Sequence, residues 1–217
     1  MNMDHERGLS LATDFRLDPE PVPAVVERLA NGTEPGWADW IYPRHPNSPF
    51  KAFTHVRYFF PVQGVAHPSI SDAWLTPLCK DDTFTTETLG SVVDLWHRMV
   101  ENYRPDAEWG TRNVPKRALH IFQQHSVATT DEGVPKTPYA YPTLSMALEI
   151  KKLLPPEGAK WLFVRARAKQ IKNGRFDAEV IILDQRMKIV AVSHQINSIV
   201  ELKPDDKISQ IRGKSRL

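Results

Sequence analysis

Between Trp161 and Val200, apolar positions alternate with polar ones in short runs cut by two turn signals. The first is Asn173-Gly174, a dipeptide suited to the two positive-φ positions of a type I′ hairpin turn. The second is Asp184-Gln185-Arg186, between the β-rich runs Ala178 to Leu183 and Ile189 to Val192. The segment predicts three consecutive antiparallel strands. Upstream, Lys51 to Pro61 alternates and is rich in aromatic and β-branched residues, and a second short strand is predicted over Asp72 to Thr76, around Trp74. Tyr141 to Leu154 is the remaining β-like run, closed by Pro155-Pro156-Glu157-Gly158.

The period changes between about Thr85 and Tyr103. There Leu89, Val92, Val93, Trp96, Met99, Val100 and Tyr103 recur at helical spacing, which predicts one long amphipathic helix ended by Arg104-Pro105. Asp94 falls on the opposite side of that helix with Arg98 and Glu101, and pattern alone reads that side as solvated. In the last strand Ile189, Ala191, Ser193, Gln195 and Asn197 share one face; Val190, Val192, His194, Ile196 and Val200 share the other. Residues 1–50, with Pro19, Pro21, Pro23, Pro35, Pro43 and Pro46, read as an extension or linker with a short helix over Ala24 to Ala30, stopped by Asn31-Gly32. The sheet is therefore expected to begin at Lys51. Residues 105–140 hold Pro115, Pro135, Pro138, Gly110 and Gly133 without a clean period, as expected of a long loop or insertion of the kind that often serves as a lid. Strands, one helix, then more strands make the fold class α+β.

Composition narrows the function. At 217 residues, 41% hydrophobic and 25% charged, the chain suits one domain. A net charge of +2 and a pI near 8.6, without a basic run interleaved with aromatics, argue against nucleic acid as a partner. Cys79 is the single cysteine, which excludes an intrachain disulfide or a thiolate metal centre. With no His/Cys/carboxylate cluster at ligand spacing, neither a metal nor a redox cofactor is expected. No stretch approaches the roughly 18 apolar residues of a membrane span, and Met1 to Arg7 lacks an apolar run, so a soluble, non-secreted protein is expected. Residues 206–217 form a basic tail ending Lys214-Ser215-Arg216-Leu217. Its last three residues are the Arg form of the Ser-Lys-Leu signal, which predicts a peroxisomal import receptor as partner and the peroxisome as location; a plain basic tail and a cytoplasmic location are the alternative.

Four ordered landmarks then carry a resemblance. Leu89-Gly90-Ser91-Val92-Val93-Asp94-Leu95, Pro142-Thr143-Leu144-Ser145, Trp161-Leu162-Phe163 and Val190-Ala191-Val192-Ser193-His194-Gln195 resemble the second half of a type II (TesB-like) acyl-CoA thioesterase, in its fungal thioesterase-like branch, over roughly residues 50–202. The resemblance implies a hotdog fold, a long central helix wrapped by a curved antiparallel sheet, and a water positioned by an Asp, a Thr and a Gln. By motif these are Asp94, Thr143 and Gln195. Asp94 would activate the water while Thr143 and Gln195 orient it, with no covalent intermediate and with coenzyme A present only as part of the substrate. Three residues are candidates for substrate binding. Gly90 would let a backbone amide approach the thioester carbonyl; His97 lies one turn from Asp94; and His194 sits among valines, where an enclosed core or interface imidazole is the plainer reading. Arg165, Arg167 and Lys169 alternate opposite Asp177 and Glu179. Cross-strand ion pairs explain them most simply, with a coenzyme A phosphate contact, shared with Lys172 and Arg175, as the other reading.

The sequence departs from the family pattern in two places. Only about 50 linker-like residues stand where the family has its first hotdog, so a homodimer is expected to supply the missing half. Ser145-Met146 stands where bacterial relatives have Asp-His. Besides acyl-CoA hydrolysis, two other readings remain: a pocket reused for isomerisation, cyclisation or dehydration of a secondary-metabolite intermediate, and a non-catalytic acyl-binding subunit. Ordinary hydration is disfavoured, because hydratase hotdogs place a His five residues after the Asp and position 99 is Met.

Overall fold

In the computed structural model, residues 8–42, 51–64, 66–95, 99–103 and 139–201 are described. Among the described residues ten strands form in chain order: β1 (Trp37–Ile41), β2 (Val56–Pro61), β3 (Ile70–Pro77), β4 (Tyr139–Ala140), β5 (Thr143–Ile150), β6 (Leu162–Arg167), β7 (Ile171–Lys172), β8 (Arg175–Leu183), β9 (Ile189–Ser198) and β10 (Val200–Glu201). One antiparallel sheet takes the order β1-β2-β3-β6-β8-β9-β5, with the short β7 paired to β8, while β4 and β10 form a separate ribbon.

The β6–β9 stretch turns where its pattern predicts, with the first of the three expected strands divided into β6 and β7. Asn173 and Gly174 have φ of 52° and 67°, and Lys172 pairs with Arg175 across them, so they are the two central residues of a tight hairpin turn. At the second turn the Asp184 carboxylate accepts from the amides of Arg186 (2.8 Å) and Lys188 (2.9 Å), which lets Met187 sit at a φ of 57°. This turn brings a bulge. Leu183 faces Ile189 but Ile182 faces Ala191, so Val190 is the extra residue. Ile189 thus changes sides relative to the expected alternation and packs with Leu183.

The sheet starts earlier than expected. β1 pairs with β2 from Trp37↔Pro61 to Ile41↔Arg57, so the Pro-rich stretch supplies an edge strand. The short helix read over Ala24 to Ala30 forms as α1 (Val26–Ala30). With residues around it, α1 covers the outer face of the sheet: Leu17, Val22 and Leu29 pack against Trp37, Phe59, Trp74, Trp161 and Phe163. Arg165 is drawn into this layer. It pairs with Asp72 of β3, not with the β8 carboxylates, in a two-pronged contact of 2.7 Å per prong. Its third nitrogen donates to the Pro19 carbonyl.

The inner face packs on the helical segment, which is not one continuous helix among the described residues. A 3-10 turn (Thr86–Thr88) runs into α2 (Leu89–Val92), and α3 (Met99–Asn102) follows. The amides of Asp94 and Leu95 bond three residues back, to Ser91 and Val92, so the spacing of 3.6 residues per turn lapses there. Leu89, Val92, Val93 and Met99 are buried as the stripe predicts, while Tyr103 is half exposed. Beyond Asp94 Met99 keeps its expected face, but its neighbour Glu101 does not. Glu101, expected in solvent, is 1% exposed and accepts a hydrogen bond from the Tyr141 hydroxyl. His97, most of the 105–140 segment and the Ser215-Arg216-Leu217 terminus lie outside the described residues.

Candidate active site

The helical segment enters the core at a fixed point. Phe84 and Ala159 exchange both backbone hydrogen bonds at 2.8 Å, and Gly158 beside them has a φ of +81°. A Cβ on Gly158 would lie 2.2 Å from the Thr83 hydroxyl oxygen and 2.8 Å from the Phe84 carbonyl oxygen, so only glycine fits. The Thr85 amide donates to Thr88 Oγ1 at 3.0 Å, starting the turn that leads to α2 and on to Asp94.

Opposite, β9 inverts the usual burial pattern. Ser193, Gln195 and Asn197 face the helix and are almost wholly buried, whereas His194 and Ile196 point outward. A strand that turns three polar side chains into the core must give each of them partners. Gln195 Nε2 donates to the Val93 carbonyl at 2.9 Å, binding β9 to the residue before Asp94. Ser193 Oγ (3.3 Å) and Met146 Sδ (3.5 Å) flank the same nitrogen.

β5 completes the cluster through a bulge. Thr143 pairs with Asn197, but Ser145 pairs with Ile196, so Leu144 is the extra residue and Thr143 and Met146 both face inward. Thr143 Oγ1 then lies 2.8 Å from Asp94 Oδ1 and 3.0 Å from Asn197 Oδ1. Asp94 itself is exposed, as its place on the helix predicted, and touches the cluster through this hydroxyl. Among the described residues, the buried Gln195 Oε1 and Asn197 Nδ2 have no hydrogen-bond partner.

The structure thus brings Asp94, Thr143 and Gln195 together although 49 and 52 positions separate them in sequence (143 − 94 and 195 − 143). It treats the other candidates differently. Gly90 lies half-buried in α2, one turn before Asp94, and a Cβ there would meet nothing within 4 Å, so the chain's own packing does not require glycine. His194 is not enclosed: it stands on the face opposite to Gln195, 61% exposed, 3.9 Å from Glu179. Arg165 is held by Asp72, Arg167 reaches the Asp18 carbonyl at 3.4 Å, and Lys169 lies 3.8 Å from Glu179. Lys172 and Arg175 remain exposed beside the hairpin turn. Ser193 and Asn197, placed with Gln195 on one face by alternation but not among the expected site residues, join the cluster; polar residues at 193, 195 and 197 are the sequence signal for it.

The chain is similar to known proteins in sequence and in fold. The thioesterase-like protein TwmA of Talaromyces wortmannii is 28% identical over 201 residues, which cover 90% of this chain and 57% of TwmA. The chain therefore spans little more than half the length of that relative. A conserved protein of unknown function with a hot dog fold from Alicyclobacillus acidocaldarius superposes with a TM-score of 0.56 at 13% identity, over 91% of this chain and 60% of that one. That likeness identifies the sheet as a hotdog arrangement. The sequence profile of the acyl-CoA thioesterase C-terminal domain matches residues 7–199, nearly the whole chain, and the protein belongs to that family.

Proposed function

We propose that the protein hydrolyses an acyl-CoA thioester, in the manner of the type II (TesB-like) thioesterases, with a water molecule bound at Asp94, Thr143 and Gln195. The observation that carries this reading is the 2.8 Å bond from Thr143 Oγ1 to Asp94 Oδ1, formed across the sheet–helix interface beside a buried Gln195. With Oδ1 engaged, Oδ2 of the exposed Asp94 has no bond to it among the described residues. It takes a proton from water as the water oxygen attacks the thioester carbon. A C–O bond forms, the C–S bond breaks, and the proton passes to the departing sulfur, giving a carboxylic acid and a free thiol. Gln195, tied to the Val93 carbonyl next to Asp94, is assigned the orienting role in this reading. No resident cofactor takes part in this chemistry.

Met146, facing inward beside Gln195, and Leu148, paired with Ser193, give the cluster an apolar border suited to an acyl chain. The exposed Lys172 and Arg175 are the cations offered to coenzyme A phosphates. The test is release of free thiol and carboxylic acid from acyl-CoAs of graded length. Thr143→Val is expected to lower kcat by about tenfold or more; full activity in that variant would remove Thr143 from the site.

A homodimer is part of the proposal. Among the described residues β5 pairs only with β9, and Leu144, Met146, Ile150 and Ile196 are exposed along this edge, a surface that a second copy would cover. Light scattering is expected to give twice 24.8 kDa, and a monomer at assay concentration would contradict it.

A further inference from the structure

Thr143 carries one hydroxyl proton but touches two acceptors. Its Oγ1 is 2.8 Å from Asp94 Oδ1 and 3.0 Å from Asn197 Oδ1, and one O–H donates to one of them. A carboxylate has nothing to donate. The proton therefore goes to Asp94, and the contact with Asn197 is favourable only if Asn197 is the donor. Turning the Asn197 amide by 180° does this without moving any other atom: Nδ2 then faces Thr143 Oγ1. The same rotation bears on a second anomaly, because it gives the nitrogen a partner and leaves the amide oxygen in the unpartnered place. Asn197 is 0% exposed, and its Nδ2 otherwise carries two N–H donors into the core without a partner among the described residues, the more costly kind of unpaired group.

We infer that Asn197 is a positioning residue: its Nδ2 donates to Thr143 Oγ1, which commits the Thr143 proton to Asp94 Oδ1 and fixes the carboxylate that activates water. This rests on the hydrolytic reading above. The β5 bulge at Leu144 belongs to the same device, because it brings Thr143 into register with Asn197 while Met146 keeps the inner face beside Gln195. Asn197 does not touch substrate. It acts through Thr143, so its effect depends on the hydroxyl being present.

Asn197→Asp is nearly isosteric but replaces the donor by an acceptor. In the full chain it is expected to lower kcat by about tenfold or more at pH 7 with KM little changed. In a Thr143→Val background the same substitution is expected to cause no further loss, since nothing remains for it to orient; a merely structural role would add its cost in both backgrounds. Asn197→Asp with wild-type kcat, or with the same loss in both backgrounds, would overturn the inference while leaving acyl-CoA hydrolysis intact. The second readout needs no turnover. The Asn197 side-chain amide signal, assigned by its loss in Asn197→Asp, is expected to be protected from hydrogen exchange in the wild type and to lose that protection in Thr143→Val. Unchanged exchange in Thr143→Val refutes the bond whether or not the chain hydrolyses anything. Absence of wild-type turnover together with the protected, Thr143-dependent signal would leave the bond standing and sink the hydrolytic reading instead.

Discussion

Asp72→Asn isolates the energetics of the outer layer. The Asp72 and Arg165 side chains are 8% and 4% exposed, and their two bonds of 2.7 Å are the main compensation for two charges held away from water. Neutralising Asp72 keeps its shape but leaves the guanidinium with only the Pro19 carbonyl and an amide oxygen. Leaving one member of a buried pair uncompensated costs about 3–5 kcal/mol, a large share of the roughly 5–15 kcal/mol that holds a domain folded. For a chain of this size that corresponds to a fall in Tm of about 6–20 °C, at roughly 2–4 °C per kcal/mol. Trp37, Trp74 and Trp161 lie in the same layer, so urea unfolding followed by tryptophan fluorescence reads the loss where it occurs. Proteolysis should speed up in residues 8–25, whose Pro19 carbonyl Arg165 holds. Replacing both partners, as Asp72→Leu with Arg165→Met, is expected to cost well below the sum of the single changes. A loss under about 1 kcal/mol in Asp72→Asn would refute the reasoning, because it would mean that water already screens the pair.

Gly158→Ala places a Cβ against Thr83 and the Phe84 carbonyl at a left-handed φ, and is expected to cost about 2–4 kcal/mol by thermal denaturation; a wild-type Tm would contradict the packing described at the start of the helical segment. Burial raises the Asp184 carboxyl pKa, but the Lys152 ammonium and the Lys188 and Arg186 amides outweigh burial and hold it below the ordinary value of 3.8. Its charge therefore stabilises the fold above pH 3.8, and that stability is lost as pH falls through the depressed native value. Wild type and Asp184→Asn should converge in acid unfolding curves below that pH, whereas a pH-independent gap would refute the assignment.

Local patterns made the β6–β9 stretch readable, because Asn173-Gly174 and Asp184-Gln185-Arg186 fix their turns within a few residues. The stripe of the helical segment was readable too, for Leu89, Val92, Val93 and Met99. What followed depended on contacts the sequence does not announce. Bonds three residues back at Asp94 and Leu95 depart from helical spacing, and Glu101 lies inward, bonded by the Tyr141 hydroxyl. β1 lies among prolines and is a strand because β2 offers it an edge. Arg165 had carboxylates within reach of pattern reasoning on β8, yet its partner is Asp72, 93 positions away on the other neighbouring strand. The trio of Asp94, Thr143 and Gln195 was legible only through family resemblance; periodicity gave Asp94 to solvent, where it does stand. The alternation 193, 195, 197 marks Asn197 as facing with Gln195, but its pairing with Thr143 comes from a bulge at Leu144 that no propensity marks.

The central claim is that Asp94 activates water for thioester hydrolysis, and Asp94→Asn tests it most directly. The 217-residue chain should release thiol from an acyl-CoA, and the variant should lose about a hundredfold or more of kcat while still binding the substrate. Equal turnover by the two proteins would contradict the account.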